Sequence, residues 1–283
     1  MSDVLGLEPQ QDQLPQRGVI APGDGPPPAI PGRLKKGDRG EEVAAMQRAL
    51  GIADGGVYGP ETQHAVDLYQ CAAPGGDSLG CLSRRYEAKD VSSVSSGTMG
   101  NGEPDRGGVS YGQYQLSSKD GMPAFLASPE GAPYAKGFAD QSTGKPLMPG
   151  TLDFTRRYLE AASSDPTAFA KAQKDFIVRT HYEPIRDYAA SHGFNVADRG
   201  VQEALFSQSV QSGKPGNEAI MNNVIRDNPN LPHMTPEEQV QALYKARAEY
   251  VKPFVSNSAG AGRYASEMPD AVRVSRYYQA FHR

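Results

Sequence analysis

From Asp38 onward the apolar residues of this 283-residue chain recur at three- and four-residue spacing, and no alternating strand pattern survives for long. That periodicity gives each segment one apolar stripe, and each stripe has to be buried against another element. Asp38, with Glu41 three positions on, has the form of a capping box; Val43, Met46, Ala49 and Leu50 follow as a stripe that Gly51 ends. Pro60 stands where the first turn of a second helix tolerates it, ahead of Ala65, Val66, Leu68 and Tyr69. Thr235-Pro236-Glu237-Glu238 joins an N-cap, a first-turn proline and a capping-box glutamate, and Val240, Leu243, Tyr244, Tyr250 and Val251 line the helix behind it. Further helices are expected over 122–127, 151–162 and 198–212, and from Asp165-Pro166 through Ile177 with an interruption near Pro184. The expected fold class is mainly α, with room for a small β-hairpin inside the 91–118 loop.

Composition sets the divisions and several exclusions. Residues 1–33 are rich in Gln, Pro and Gly and are expected to form an extended tail or linker. A small helical domain over 34–71, a hinge over 72–80 and a large domain over 81–283 follow. A net charge of −4 and a pI near 5.8 carry no electrostatic footprint for nucleic acid or for an anionic membrane surface. No apolar run reaches the length of a transmembrane helix, so no membrane insertion is expected. The N-terminus lacks the basic and apolar regions of a secretory signal peptide. Cys71 and Cys81 form either a local disulfide or two unpaired small hydrophobes, and both readings stay open. They do not make a zinc site, because no third cysteine exists and the five histidines are scattered without metal-ligand spacing. No metal and no cofactor are expected, and the chain is expected to be a monomer.

The chemistry concentrates between Arg84 and Ser118. Glu87 ends a short expected helix, and a Ser/Gly-rich loop carrying Asp90, Glu103 and Asp105 leads into Gly-Gly-Val-Ser-Tyr-Gly-Gln-Tyr-Gln-Leu-Ser. A glutamate walled by an apolar neighbour such as Tyr86 can hold its proton through desolvation. Glycosidic cleavage needs such an acid, together with a polar floor for the sugar.

Two stretches carry family resemblances. Leu34-Lys-Lys-Gly-Asp-Arg-Gly-Glu-Glu-Val-Ala-Ala-Met-Gln-Arg-Ala-Leu-Gly51 and Asp54-Gly-Gly-Val-Tyr-Gly-Pro-Glu-Thr-Gln-His-Ala-Val-Asp-Leu-Tyr-Gln70 resemble the small helical peptidoglycan-binding domain. That resemblance implies bacterial peptidoglycan as the partner, with Asp54, Tyr58, Gly59 and Thr62 as wall-binding residues. Tyr86-Glu87, then Asp105-Arg-Gly and Gly112-Gln-Tyr-Gln115, resemble the catalytic core of goose-type lysozymes and soluble lytic transglycosylases. Ala88 departs from the serine usual after the glutamate, the loop is longer, and Tyr114 replaces the common methionine. Ser207-Gln208-Ser-Val-Gln211-Ser-Gly213 loosely matches a cleft-lining segment of the same family.

The resemblance implies an α-rich lysozyme-like domain that cleaves the β-1,4 bond between N-acetylmuramic acid and N-acetylglucosamine. Glu87 would be the general acid and then base, and Asp105 the second carboxylate that a hydrolase needs and a transglycosylase does not. Asp105 is equally a loop acid that caps a turn. Ser110, Tyr111, Gln113, Tyr114, Gln115, Gln208 and Tyr264 would contact substrate. The alternatives are a wall peptidase, zinc-dependent or not, and a non-catalytic wall-binding or virion structural protein. A chain acting on the wall without a signal peptide would leave the cell through a phage holin, a virion or a secretion system, as an endolysin or as a secreted effector.

Overall fold

A computed structural model describes residues 32–76, 79–87, 90–98, 103, 105, 107–253 and 259–282, without the side chains of Glu87 and of residues 259–262. The expected tail falls outside this range up to residue 31, and the expected hinge does so at residues 77 and 78. The described chain is mainly helical with one two-stranded sheet, as the periodicity predicts. It divides into two units at Asp67/Leu68, within a single helix.

The first unit holds α1 (Glu41–Ala49) and the start of α2 (Pro60–Ala72). The Asp38 capping box does not form. Gly40 is the N-cap, at φ 118°, and its N–H donates to the Gly56 carbonyl at 2.8 Å, while Asp38 instead accepts from the Lys35 amide. A loop-to-loop bond therefore sets the start of α1. Its end follows the expectation: Gly51 lies at φ 65°, its N–H reaches Arg48 O, and Ile52 N–H reaches Gln47 O, which is the Schellman pattern. Gln47 is buried and uses its whole amide. Nε2 donates to Val57 O and to Thr62 Oγ1, and Oε1 accepts the Gly56 N–H. This one side chain ties the 54–59 loop to α1 above a core of Val43, Met46, Leu50, Tyr58, Ala65 and Val66.

In the second unit Cys71, near the end of α2, is disulfide-bonded to Cys81 at the start of α3 (Cys81–Glu87), with Cα atoms 5.9 Å apart. A hairpin of β1 (Ser110–Tyr111) and β2 (Leu116–Ser117) pairs Ser110 with Ser117 and Tyr111 with Leu116. Then come α4 (Gly121–Ala127), α5 (Ala132–Ala135), α6 (Leu152–Ser164) and α7 (Pro166–Ile177). The caps on α6 and α7 are Thr151, which accepts from Phe154 N, and Asp165, which accepts from Ala168 N. Tyr111, Phe125, Phe154, Tyr158, Phe169 and Phe176 form one aromatic core, with the Tyr111 ring 5.3 Å from Phe154 and 4.9 Å from Tyr158.

The interruption expected near Pro184 is a π-helical turn over Val178–Tyr182. Pro184 sits in the first turn of α8 (Glu183–Ser191), where its missing N–H costs nothing. The helix expected to end at 212 runs on as α9 (Arg199–Asp227), bent at Gly213 (φ 58°, ψ 176°). Pro215 explains the bend, since it has no N–H for the Gln211 carbonyl. Against α9 pack α10 (Pro236–Val251), which has the capping box of Thr235 and Glu238 in full, and α11 (Ala259–Phe281). α11 was not anticipated from the sequence.

Candidate functional site

The Gly-x-x-Gln stretch is the hairpin turn. Gly112 lies at φ 74°, and Gln115 at φ 52° is the one non-glycine of the described residues with positive φ. Gln115 donates to the Gly112 carbonyl twice, from its backbone N–H at 3.1 Å and from Nε2 at 2.8 Å. The motif thus closes on itself, and Gly112 N–H ties it to Ser93 O. Gln113 is half-buried at the tip. Ser110 exchanges backbone and side-chain bonds with Ser95. Tyr111 is fully buried, with its hydroxyl between Thr155 Oγ1 and Gly150 N, and Tyr114 is buried edge-on against Phe206. Neither ring is placed to stack on a sugar.

Asp105 accepts the Gly107 amide at 2.7 Å, and its own N–H donates to Gly97 O, so it closes a turn of the long loop. Asp90 accepts from the Ser92 N–H and hydroxyl, bonds that hold its carboxyl below the usual range. Glu103 is exposed. Glu87 is the last residue of α3, and its side chain lies outside the described residues. Before it, the Tyr86 hydroxyl lies 2.7 Å from Asp270 Oδ2 and 2.8 Å from Ser266 O; burial and the Asp270 carboxylate push its ionisation up.

Of the wall-binding candidates, Asp54 is exposed and paired with Arg48 at 3.0 Å, and Gly59 is part-exposed. Tyr58 and Thr62 are buried as structural parts of the first unit, Tyr58 with its hydroxyl on Gln63 and Thr62 under Gln47.

The remaining candidates lead to a buried polar network that the sequence did not announce. Arg247 is fully buried between two rings, 4.5 Å from Tyr244 and 4.8 Å from Tyr264. Its NH2 donates to Ser207 Oγ and to Gln211 Oε1, which also accepts from the Tyr264 hydroxyl. Buried Glu267 takes the Tyr244 hydroxyl and Arg263 Nε, both at 2.9 Å. Gln208 is fully buried beside this stretch in sequence, and neither of its amide atoms has a partner among the described residues. A signal for Arg247 existed: it stands seven residues after Val240, in the stripe of Leu243 and Tyr244, so an arginine occupies a core position. Glu203 gave none. It is buried on α9, accepts the N–H groups of Gly80 and Leu82, and pairs with Arg199; burial pushes its carboxyl up against the pull of these partners. Cys71, Cys81 and Glu203 come close enough to suggest a metal, but the sulfurs are bonded to each other and the carboxylate is engaged.

One cavity of about 320 Å³ opens where α8 meets the part of α9 beyond its bend, lined by Thr180, His181, Ile185, Lys214, Asn217 and Glu218 among others. Burial holds His181 below the usual histidine range. Asn217 is buried, and its Oδ1 has no partner among the described residues.

The family described as "Type VI secretion system spike protein VgrG3-like, C-terminal" matches residues 79–266, about two thirds of the chain. The type VI secretion system spike protein VgrG3 of Vibrio cholerae serotype O1 (strain ATCC 39315 / El Tor Inaba N16961) is 31% identical over 138 residues. Those residues are 48% of this chain and 12% of that relative, so the chain spans a small part of the relative's length. These matches overturn the reading of the large domain as a goose-type lysozyme or lytic transglycosylase, and with it the endolysin and the glycan-cleaving activity. The whole stretch that carried the resemblance lies inside the spike-family match. The physical reason that the motif misled is visible in its geometry: a glycine and a glutamine three apart are what this tight turn needs to close on itself, with or without a sugar.

Proposed function

This chain belongs to the VgrG3-like C-terminal family of type VI secretion system spike proteins, and we propose from that membership that it is a spike-borne module carried out of the cell by such an apparatus. Its first unit binds bacterial peptidoglycan without cutting it. The family match over residues 79–266 carries the reading. The first unit adds the resemblance of residues 34–70 to wall-binding modules, and Gln47 pins its 54–59 loop, which presents Asp54 and Gly59 at the surface.

Delivery is tested by looking for the protein outside cells whose apparatus is intact and outside cells whose apparatus is disabled. The expected result is release only from the first; equal release from both sinks delivery by the apparatus. Wall binding is tested by sedimenting the full chain with purified sacculi. The wild type is expected in the pellet and Asp54→Ala to be partly lost from it, whereas a wild type that stays in the supernatant rejects the wall partner.

A further inference from the structure

Cys71 and Cys81 lack a third metal ligand in their own stretch of sequence, and the fold brings one to them from α9. The two sulfurs and a carboxylate oxygen of Glu203 lie within 4.8 Å of one another. The bond between the sulfurs is one state of the chain. Disulfides persist in oxidising surroundings and are kept reduced in the cytosol. A chain made inside a cell and carried out of it passes from one to the other, so the reduced state invoked here rests on the delivery proposed above. In that state both thiols are available, on Cα atoms 5.9 Å apart.

The ligand set, the charge and the access all suit a divalent cation of the zinc class. Thiolate and carboxylate are both zinc ligands, and tetrahedral Zn–S bonds of about 2.3 Å set two sulfurs about 3.8 Å apart, well inside the Cα separation. Glu203 has an acceptor position to give. Its Oε1 takes the Gly80 N–H and the Arg199 guanidinium, whereas its Oε2 takes only the Leu82 N–H among the described residues. Two thiolates and this carboxylate, set against the one charge of Arg199, leave two negative charges around a fully buried side chain. Buried charge has to be paired or to coordinate a metal, and one divalent ion cancels it. Arg199 NH2 lies 3.8 Å from Cys81 Sγ, placed to support a ligand sulfur from outside the coordination sphere. An entry path exists as well, a cavity of about 210 Å³ walled by Cys71, Arg199, Gln202, Tyr278 and His282. His282 Nδ1 donates to Tyr278 O at 2.7 Å, which leaves Nε2 as an acceptor for a hydrated cation.

We infer that the reduced chain binds one zinc-class ion through Cys71, Cys81 and Glu203, with water from the cavity in the fourth position, and that oxidation exchanges the ion for the disulfide. In that exchange the two thiolates give two electrons to a low-molecular-weight disulfide. With two protons from solvent it leaves as two thiols, the Cys71–Cys81 bond forms, and the ion is released.

The test uses the purified full chain, reduced with a phosphine, and Co²⁺ as a spectroscopic probe. Reduced wild type is expected to take up one equivalent with a thiolate-to-cobalt charge-transfer band, and Zn²⁺ to displace it. Oxidised glutathione is expected to abolish the band and release the metal. Cys71→Ser and Cys81→Ser keep the bonds of Glu203 and are expected to bind at least about tenfold more weakly. Glu203→Gln, read once circular dichroism shows wild-type helix content, should lose about as much; if it does not fold, the serine variants decide. The inference is overturned by a reduced chain with no cobalt–thiolate band, by a band of equal strength in either serine variant or in the unreduced chain, or by folded Glu203→Gln with wild-type affinity. Each of these results is read on purified protein. A failure here leaves the release experiment standing, and equal release from cells with a disabled apparatus leaves the metal site standing.

Discussion

The buried carboxylate of Glu203 accepts the backbone N–H of Leu82 at 3.0 Å, across 121 residues of sequence. With the Gly80 amide it fastens the first turn of α3 to α9, and Arg199 neutralises it at 2.9 Å. Glu203→Gln keeps the shape but turns an NH2 group towards an N–H and leaves Arg199 without its anion. A loss of about 3 kcal/mol is expected. For a domain of this size that is about 6–12 °C in Tm, and thermal unfolding monitored by circular dichroism checks it. A change under 1 °C would show that the carboxylate anchors nothing.

Gln47→Ala is expected to loosen the first unit selectively. The substitution leaves the part-buried Gly56 N–H without its acceptor and leaves Val57 O and Thr62 Oγ1 with only their 3.4 Å bond to each other, at about 1–3 kcal/mol for each group that water cannot reach. Hydrogen exchange should accelerate at the Gly56 amide and leave the Tyr158 and Leu205 amides of the second unit unchanged.

Gly112→Ala should destabilise the hairpin for two reasons that add. The position has φ 74°, which side chains rarely adopt, and a methyl group there would run into Gln173 Oε1 and the Tyr158 hydroxyl. The expected cost is about 2–4 kcal/mol, measured by urea unfolding. Gln113→Ala, at the half-buried tip of the same turn, should cost less than about 0.5 kcal/mol.

The acid limb of stability should respond to Arg179. Its bidentate bonds to Glu130, at 2.7 and 2.8 Å, lower that carboxyl from 4.5 to about 2. A depressed carboxylate stabilises the fold above its unfolded value and loses that contribution as pH falls through about 2. Arg179→Met should therefore unfold more easily than wild type above pH 4.5, by a small margin because Arg179 is 45% exposed and solvent screens the pair. The difference should fade between pH 4.5 and 2; a difference constant across that range would place its origin elsewhere.

Reducing the Cys71–Cys81 bond, or replacing both residues by serine, removes a cross-link over ten residues. The expected loss is about 2–3 kcal/mol from a less constrained unfolded chain. Wild type with and without dithiothreitol, compared with the double serine variant, measures it, and the variant should not respond to the reductant.

How far the sequence could be read follows the reach of each interaction. Thr235 and Glu238 cap α10 as expected because the bonds span three residues and need nothing else. Asp38 and Glu41 show the same pattern and fail, because Gly40 is claimed by the Gly56 carbonyl from outside the helix. α11 escaped notice because Pro269 and small residues near its start break the stripe. Gly112 and Gln115 were singled out for chemistry, although their spacing answers a local need of the turn. Glu203 was not singled out, since nothing in its neighbourhood announces two amides arriving from residues 80 and 82.

The sequence by itself determined the helical class, the starts of α7 and α10 and the glycine stop of α1, all of them set by bonds between near neighbours. Only the tertiary structure decided that Arg247 and Glu203 are buried, that Tyr111 and Tyr114 are core, and that His181 and Asn217 share a cavity with Lys214 and Glu218. Those outcomes depend on which helix faces meet, and a side chain's burial and partners are properties of that meeting, which no local stretch of chain encodes.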